Sequence, residues 1–308
     1  MDFGRYLLGP GRLALGFVVV SAAYVHFRGK ERMKFSRQLT DHSTFTAPYN
    51  ALVYLASETP TTAFLDPEAF EELRELTRNW QVFRDEGLKL LAAGKVSRAT
   101  GDNDLGFHAF FKRGWTRFYL KWYDHPIPSA GRLCPLSTEL LSRVPSVKGA
   151  MFALLPPGGY LGNHRDPFAG SLRYHLGLST PNDDRCWIQV DGQRRGWRDG
   201  EAMVFDETFV HKARNSTDTP RLILLCDIER PIRGVMRPVN RWVMRRVMAS
   251  TGTQNVPGEP IGAINRLYAR VASIQRAIQS LKESNLTLYR AQKWATILAV
   301  LALVFAPL

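Results

Sequence analysis

The sequence predicts a mainly β core of antiparallel strands, a sandwich or a barrel, flanked by helices and by an apolar segment at each end. Short apolar runs alternate with turn signals from residue 147 to 230, and helical periodicity appears on either side of them. The chain has 308 residues and 45% hydrophobic content. That is enough for one sizeable core with accessory segments.

The N-terminal apolar segment is predicted to be a retained membrane anchor over residues 1–30. Residues 13–27 read LALGFVVVSAAYVHF and, counted back to Tyr6, approach the length of a helical bilayer span. Five Lys or Arg follow between Arg28 and Arg37, which indicates a cytoplasmic flank. A cleaved signal peptide would carry its charge mainly before the apolar run. Buried helices of a soluble protein are the alternative for both ends of the chain.

A helix is predicted over residues 66–93, where it is expected to pack on the sheet. Asp66 suits its N-cap, Pro67 its first position and Gly94 its end. Apolar residues recur along this stretch at close to helical spacing.

Residues 105–123 are rich in aromatic and basic side chains, and the alternation over 117–122 predicts a strand. Four cations are candidates for docking a phosphorylated or acidic substrate: Lys112, Arg113, Arg117 and Lys121. An ordinary core strand with solvated charges is the alternative.

Five apolar runs predict the strands of the β-rich segment: 147–155, 172–178, 186–190, 202–205 and 222–228. Turn sequences such as PPGG, TPNDD and NSTDTP separate them. Asp191-Gly192 lies between apolar runs and predicts a hairpin. Short strands at this spacing indicate a sandwich or a barrel.

Residues 236–290 are predicted to be a helical, basic, membrane-proximal region. Residues 239–248 are basic and amphipathic, and residues 261–281 carry apolar side chains at helical spacing. The last segment, 291–308, is apolar after a basic flank but short for a full span, and we expect it to be a second anchor. Residues between the two anchors would then face the cytoplasm.

The formal net charge is +13, which indicates either a nucleic-acid partner or an anionic membrane surface. The basic runs RGKERMKFSR and RPIRGVMRPVNRWVMRR adjoin apolar segments, so a membrane is favoured and nucleic acid is not expected. A solvated charged face is the alternative. Three cysteines without CxxC spacing predict no disulfide framework and a reducing compartment.

His164, Asp166 and His211 are the candidate catalytic residues and metal ligands. Residues 164 and 166 project to the same side of an extended backbone, and His211 follows later in the β-rich segment. Two imidazoles and one carboxylate with open positions form the facial triad of non-haem iron(II) oxygenases. Such a triad leaves room for a bidentate co-substrate and dioxygen. A polar loop and a turn histidine without metal are the alternative.

Arg173, His175 and Arg221 are the candidate co-substrate residues. Arg173 and His175 share one face of a predicted strand, and Arg221 directly precedes the apolar run LILLCDI. A guanidinium on a barrel strand can bind a carboxylate with two N–H groups. Structural ion pairs are the alternative for the two arginines.

Three motifs resemble the aspartyl/asparaginyl β-hydroxylase family: HRDPFAGSLRYHLGL (164–178), WRDGEAMVFDETFVHKARNSTDTPR (197–221) and LLCDIERP (224–231). Three more are similar to one branch of it, the bacterial lipid A hydroxylases that 2-hydroxylate a secondary acyl chain: RGKERMKFSRQLTDHSTFTAPYN (28–50), FKRGWTRFYLKWY (111–123) and PSVKGAMFALLPPGG (145–159). The likeness covers about residues 15–232.

The resemblance implies a double-stranded β-helix, or jelly roll, within a dioxygenase domain at 31–235, with its core at about 145–231. It implies Fe(II), 2-oxoglutarate and O2, with iron on His164, Asp166 and His211. Arg173, His175 and Arg221 match co-substrate positions, and Arg221 is expected to hold the distal carboxylate. Asp166 stands where protein-directed members can lack a carboxylate, which favours a full triad. Residues 206–208 are expected to orient His211.

The substrate implied by the resemblance is lipid A or a lipid A precursor, at the bacterial inner membrane with the catalytic domain facing the cytoplasm. Hydroxylation of Asp or Asn in a protein is the alternative that keeps the same chemistry. A metal-free membrane binding protein on the same fold is the alternative from another class.

Overall fold

The computed structural model describes residues 10–38, 41–97, 104, 108–111, 113–292 and 295. Within these residues the strands, in chain order, are β1 (Phe64–Leu65), β2 (Thr116–Trp122), β3 (Val147–Leu155), β4 (Tyr160–His164), β5 (Ser171–Ser179), β6 (Cys186–Val190), β7 (Gln193–Gly196), β8 (Ala202–Phe205), β9 (His211–Asn215) and β10 (Arg221–Glu229). They form two antiparallel sheets, a six-stranded sheet in the order β1-β8-β5-β10-β3-β2 and a four-stranded sheet in the order β4-β9-β6-β7. From β3 onward the chain passes repeatedly between the sheets, so the predicted antiparallel core is confirmed.

The described helices, in chain order, are α1 (Pro10–Phe27), α2 (Phe35–Gln38), α3 (His42–Phe45), α4 (Ala47–Ala56), α5 (Arg74–Arg78), α6 (Trp80–Ala92), α7 (His108–Phe111), α8 (Pro128–Leu133), α9 (Pro135–Ser142), α10 (Met236–Val243) and α11 (Ala263–Ser284). Two 3-10 turns, Pro67–Ala69 and Glu71–Leu73, precede α5. A π-helical turn, Met244–Met248, continues α10 and is followed by a 3-10 turn, Ala249–Thr251. The predicted helix at 261–281 is thus present as α11.

Alternate residues of the six-stranded sheet face two different cores, because successive side chains of a strand point to opposite faces. Leu176 and Leu224 belong to the face that packs on the helices, with Phe83 of α6 and Leu141 of α9. The opposite face packs on the four-stranded sheet, and its cluster includes Met151, Phe205, Ile223, Leu225, Ile188, Val190 and Ala213. Burial of each such large apolar side chain stabilises the fold by about 1.5–3 kcal/mol. The space between the sheets is where residues 173, 175 and 221 point.

The five predicted apolar runs correspond to β3, β5, β6, β8 and β10. The predicted hairpin joins β6 to β7, and its turn residues Asp191 and Gly192 have φ of 47° and 82°. Both values lie in the left-handed region that a type I′ turn requires. Strands β4, β7 and β9 were not predicted, because YLGNH, QRRG and HKARN are mostly polar and have no continuous apolar run.

The predicted helix at 66–93 is interrupted. The Asp66 side chain caps the first 3-10 turn by accepting a hydrogen bond from the Glu68 N–H at 3.0 Å. Phe70 then has non-helical φ and ψ of −111° and 75°, and its ring packs against the helix-side core. Regular helix follows only from Arg74, and Gly94 ends it with φ of 64°.

Helix α1 divides into a projecting half and a docked half. Residues 11–20 are all exposed, whereas Ser21 and Val25 are buried against the body of the protein. Among the residues that the structure describes, none of the helices is both long and apolar enough to cross a membrane. The predicted C-terminal anchor at 291–308 lies almost wholly outside the described residues.

Candidate active site

Strand register brings the two candidate histidines together. His164 is the last residue of β4, His211 is the first residue of β9, and the two are direct antiparallel partners. Their ring centroids lie 4.0 Å apart. The pairing is irregular between Leu161 and His164. Such irregularities bend a strand locally and redirect its side chains.

Asp166 completes the cluster from the loop after β4. Its N–H donates to the Glu207 carbonyl at 3.0 Å, and its Oδ1 lies 3.5 Å from His164 Nε2. One ligand atom from each of His164, Asp166 and His211 lies within 4.8 Å of the other two. Atoms at these separations can surround a single ion at metal–ligand distances of about 2 Å.

Backbone carbonyls set the orientation of both imidazoles. The His211 Nδ1 lies 3.0 Å from the Phe209 carbonyl, and the His164 Nδ1 lies 2.9 Å from the Gly162 carbonyl. A carbonyl only accepts, so both Nδ1 atoms carry the proton and both Nε2 atoms are free to act as ligands. Residues 206–208 were expected to orient His211, but the direct partner of its ring is the Phe209 carbonyl, and residues 206–208 do not contact the ring nitrogen.

The charge states suit a divalent cation. Burial lowers the pKa of His211 to about 3 and also lowers the pKa of His164, so both rings are neutral at pH 7. Burial disfavours ionised Asp166, but the positive charge of Arg173 is the largest of the effects that oppose it, and the pKa of Asp166 falls below its usual value. The donors are therefore two neutral nitrogens and one carboxylate, the set typical of non-haem Fe(II) sites.

Arg173 holds the carboxylate of this cluster. Its Nη2 donates to Asp166 Oδ2 at 2.6 Å, and its Nε lies 3.1 Å from Asp227 Oδ1. Asp227 faces it across the β5–β10 pairing and accepts a hydrogen bond from the Tyr123 hydroxyl at 3.2 Å. With both sides of its guanidinium engaged, Arg173 fixes the orientation of Asp166, which matches the structural ion pair that was the alternative to co-substrate binding.

Arg221 lies at the other end of the same space. Its side chain is fully buried, with its guanidinium carbon 4.7 Å from the Trp115 ring centroid and 4.2 Å from that of Trp197. None of its three side-chain nitrogens has a hydrogen-bond partner in the described part of the chain. Burial lowers the pKa of Arg221 to about 10, so it remains a cation at pH 7. An unpaired buried cation is costly, and a carboxylate ligand would compensate for it.

His175 lies between the histidine cluster and Arg221. Its Nδ1 accepts a hydrogen bond from Trp197 Nε1 at 3.3 Å, so its proton is on Nε2, which has no partner among the described residues. Burial lowers the pKa of His175 well below its usual value, so the ring is neutral. The Phe205 ring lies 4.9 Å from that of His175 and 6.0 Å from that of His211. A continuous row of rings thus runs from the histidine cluster to Arg221.

Sequence reasoning missed three residues of this site. Trp115 and Trp197 flank Arg221, and Asp227 supports Arg173. Asp227 left a signal in the sequence, since it is the lone charged residue inside the apolar run LILLCDI. The two tryptophans left none that distinguishes them from ordinary core residues.

The expected phosphate-docking cations do not form one group. Arg117 is buried and paired with Asp104 at 2.9 Å, so its expected docking role is wrong. Arg113 stacks on the Tyr160 ring at 4.5 Å, and Lys121 is half-buried. Lys112 lies outside the described residues.

Comparison with known proteins gives relatives for the chain. Over 138 residues it is 34% identical to an ornithine lipid ester-linked acyl 2-hydroxylase of Rhizobium tropici, a match that covers 44% of this chain and 49% of that protein. Over 166 residues it is 28% identical to the aspartyl/asparaginyl beta-hydroxylase of Homo sapiens, covering 52% of this chain and 21% of that protein. The chain thus spans half or less of the length of these relatives.

A solved Pseudomonas putida prolyl-4-hydroxylase is similar with a TM-score of 0.33 and 18% identity, covering 51% of this chain and 88% of that one. The family model described as aspartyl/asparaginyl beta-hydroxylase matches residues 77–231, just over half of the chain. That segment contains both histidines of the cluster, Asp166, Arg173, His175 and Arg221. The chain therefore belongs to the aspartyl/asparaginyl β-hydroxylase family of hydroxylases.

Proposed function

We propose that this chain is an Fe(II)- and 2-oxoglutarate-dependent dioxygenase that hydroxylates carbon 2 of a secondary fatty acyl chain of lipid A or a lipid A precursor. The observation that carries the chemistry is the unpaired, buried guanidinium of Arg221, which shares one interior space with the His164, Asp166 and His211 cluster. The passage of the chain between the two sheets from β3 to β10 supports a double-stranded β-helix.

Three ligand groups would hold the metal: the Nε2 atoms of His164 and His211 and the carboxylate of Asp166. When bound, Fe(II) with 2-oxoglutarate supplies oxidative decarboxylation to succinate and carbon dioxide, coupled to oxygen insertion into a C–H bond. Arg173 keeps Asp166 ionised and oriented for this role through its 2.6 Å contact.

The co-substrate would lie along the row of rings. The distal carboxylate of 2-oxoglutarate would bind Arg221, whose contact gains strength because Trp115 and Trp197 exclude water from it. The free Nε2–H of His175 would donate a hydrogen bond to the same molecule closer to the metal. Both donors are fixed in place before the ligand arrives, which reduces the entropic cost of binding.

A membrane lipid fits the exposed surface as a substrate. The projecting half of α1 exposes apolar side chains such as Leu15 and Val20, at 63% and 67%. Trp242 of α10 and Val235 just before the helix are 60% and 81% exposed, and arginines recur at 237, 241 and 245 along α10 and the π-helical turn that follows it. Apolar side chains next to arginines are typical of a surface that lies on anionic lipid. The N-terminal segment up to residue 20 and residues 291–308 would serve as anchors, since Ser21, Val25 and Arg28 are already buried against the body of the protein. The basic 236–290 region would lie on the cytoplasmic face of the bacterial inner membrane.

Two other substrates follow from the relatives. The name of the Rhizobium tropici relative identifies an ester-linked acyl chain of ornithine lipid, which would need the same carbon-2 chemistry on a different headgroup. The human relative is named for hydroxylation of aspartyl and asparaginyl groups. The exposed apolar helices and the Asp166 carboxylate favour a lipid over a protein.

Lipid analysis separates these substrates. Cells with and without the chain would be extracted, and lipid A and ornithine lipid would be analysed separately by mass spectrometry, with His164→Ala as the inactive control. We expect lipid A to gain one oxygen on an acyl chain only with the unchanged protein. A gain confined to ornithine lipid would move the proposal to that headgroup, and unchanged lipids from folded, membrane-bound protein would favour a protein substrate.

A further inference from the structure

Hydrogen bonds join the N-terminal helices to the two loops next to the His164, Asp166 and His211 cluster. One loop, residues 165–169, directly follows His164 and contains Asp166, and the other, residues 206–210, leads directly into His211. The N-terminal residues that make these hydrogen bonds lie between residues 25 and 54, ahead of the segment 77–231 that matches the family model. The shared family segment therefore does not contain everything that holds its own ligands in place.

Arg165 makes the first connection. It stands between His164 and Asp166 in sequence, and only 1% of it is exposed. Its Nη1 donates to the Val25 carbonyl at 2.6 Å and to Gln38 Oε1 at 3.0 Å. Its Nη2 donates to the carbonyls of His26 and Arg28 at 3.4 and 3.5 Å. The carbonyl acceptors lie at the C-terminal end of α1, where the helix dipole is negative and a cation is stabilised.

The backbone of the same loop is held by α3 and α4. The ring of His42 donates from Nε2 to the Arg165 carbonyl at 2.6 Å. Asn50 donates to the Pro167 carbonyl at 2.9 Å and accepts from the Ala169 N–H at 3.0 Å. These contacts fix the peptide groups on both sides of Asp166.

Arg28 makes the second connection, to the loop before His211. Its guanidinium donates to Thr208 Oγ1 at 2.5 Å and to Asp206 Oδ2 at 2.6 Å. It lies between the rings of Tyr54 and Phe209, at 4.0 and 3.9 Å from their centroids. Phe209 is also the residue whose carbonyl orients the His211 ring.

We propose that the docked end of α1, acting through Arg165 and Arg28, is a positioning element of the metal site, so that metal affinity depends on this helix being in place. The proposal rests on the metal site put forward above. Arg165 aligns the loop that follows His164 and contains Asp166, and Arg28 aligns the loop that leads into His211. Neither side chain touches the metal or the co-substrate; each acts by fixing the backbone from which ligands project. Outer partners of this kind typically change metal affinity by about 10-fold to 100-fold when they are removed.

The test is a titration of the full-length, metal-free protein with Mn(II), followed by electron paramagnetic resonance without 2-oxoglutarate or lipid. We expect Arg165→Gln to raise the Kd for Mn(II) by about 10-fold to 100-fold. Arg165→Lys keeps the positive charge but loses the planar guanidinium with its several N–H donors, and should have a smaller effect. Gln38→Leu removes one acceptor of Arg165 without changing a charge, and should weaken Mn(II) binding even if Arg165→Gln fails to fold.

The matched control is Glu86→Gln, a buried change in the helical layer on the opposite face of the six-stranded sheet. Glu86 accepts the N–H groups of Leu136 and Ser137 at 3.2 and 2.8 Å, so the variant should unfold at lower temperature with the same Kd for Mn(II). The positioning role would be overturned if Arg165→Gln bound Mn(II) with the same Kd as the unchanged protein; if Arg165→Gln does not fold, Gln38→Leu takes its place in this comparison. It would also be overturned if Glu86→Gln lost as much Mn(II) affinity as the Arg165 or Gln38 variant. An unchanged protein that binds no Mn(II) would overturn the metal site, and the inference with it.

Discussion

The guanidinium of Arg221 is buried between two tryptophans without a hydrogen-bond partner in the described part of the chain. Such a group lowers the stability of the ligand-free protein, because its lost hydration is not compensated. A buried side chain that destabilises the ligand-free protein is typical of a binding residue whose hydrogen bonds are made by the ligand. Arg173 is the contrast, since it forms ion pairs with two carboxylates of the chain, those of Asp166 and Asp227.

Arg221→Met should therefore have opposite effects on stability and on binding. The ligand-free variant should unfold at a higher temperature than the unchanged protein, because an apolar side chain of similar length replaces an unpaired cation. Its affinity for 2-oxoglutarate should fall by about 10-fold or more, since a charge-assisted hydrogen bond contributes about 1.5–3 kcal/mol. The affinity for 2-oxoglutarate would be measured from the quenching of Trp115 and Trp197 fluorescence as the ligand is added. Unchanged affinity would remove Arg221 from the site.

Glu207 should give the stability a pH dependence of unusual sign. Burial raises the pKa of Glu207 to about 8, although the positive charge of Arg173 opposes the rise. The folded state therefore keeps a proton that the unfolded chain releases near pH 4.3, so this group lowers stability as pH rises from about 4 to about 8. Glu207→Gln keeps an acceptor for the Ser171 hydroxyl, which lies 2.8 Å from Oε1.

Urea unfolding of the metal-free protein at several pH values measures this effect. The difference in unfolding free energy between Glu207→Gln and the unchanged protein should increase in favour of the variant from pH 5 to pH 8, as the linkage relation requires. A difference that is constant over this range would contradict the raised pKa.

At the residue scale, type and spacing named three residues, His164, Asp166 and His211, whose ligand atoms the fold brings within 4.8 Å of one another. Their role as metal ligands stays a prediction. Trp115 and Trp197 could not be named, because an aromatic side chain beside a cation has the same local sequence as one in an ordinary core. The partner of His211 is a backbone carbonyl, which no side-chain pattern reveals.

At the scale of elements, the alternation of strand faces decides which residues are structural and which are functional. Cys226 and Leu224 face the helices, whereas Leu225 and Asp227 face the space between the sheets. Apolar content alone predicted β10, but it could not predict β4 and β9, whose side chains are mostly polar. Those two strands carry His164 and His211. Because the site needs polar residues there, neither strand has the apolar run from which a strand is predicted.

Leu224→Ala and Leu225→Ala should separate the two faces of β10. Both side chains are at most 3% exposed, and each truncation should cost about 2–5 kcal/mol of unfolding free energy. Only Leu225, directly opposite His175 across the β5–β10 pairing, should also weaken 2-oxoglutarate binding. Urea unfolding and 2-oxoglutarate titration of both variants test this, and a similar loss of affinity in Leu224→Ala would contradict the assignment of faces.

At the scale of the whole molecule, a pair of sheets that encloses the candidate site is flanked by helices with exposed apolar side chains. The sequence pattern predicted the antiparallel core and the helices on either side of it, while the jelly-roll topology came from the resemblance alone. Composition cannot give strand order, because neither the length nor the residue content of a strand specifies which strand it pairs with. The terminal anchors stay predictions, since no described helix meets the length and hydropathy of a span and residues 296–308 lie outside the described ones.

Surface attachment through α10 should depend on its exposed apolar side chains. Val239→Glu with Trp242→Glu places two charges on residues that are 44% and 60% exposed, so the fold should be little affected. Binding to vesicles with anionic lipid should fall by about tenfold or more, since insertion of a large apolar side chain contributes about 1.5–3 kcal/mol. Vesicle co-sedimentation at low and high salt measures it. Unchanged binding would mean that α10 does not lie on the membrane.

The most direct test of the central claim is to follow isotopically labelled dioxygen into the product. Cells or membranes containing the chain would be supplied with labelled O2 and unlabelled water, and the hydroxylated acyl chain of lipid A would be analysed by mass spectrometry. An Fe(II)- and 2-oxoglutarate-dependent hydroxylase should place labelled oxygen on carbon 2 and should lose the product in His164→Ala. A hydroxyl group that carries oxygen from water, or a product that His164→Ala still forms, would contradict the account.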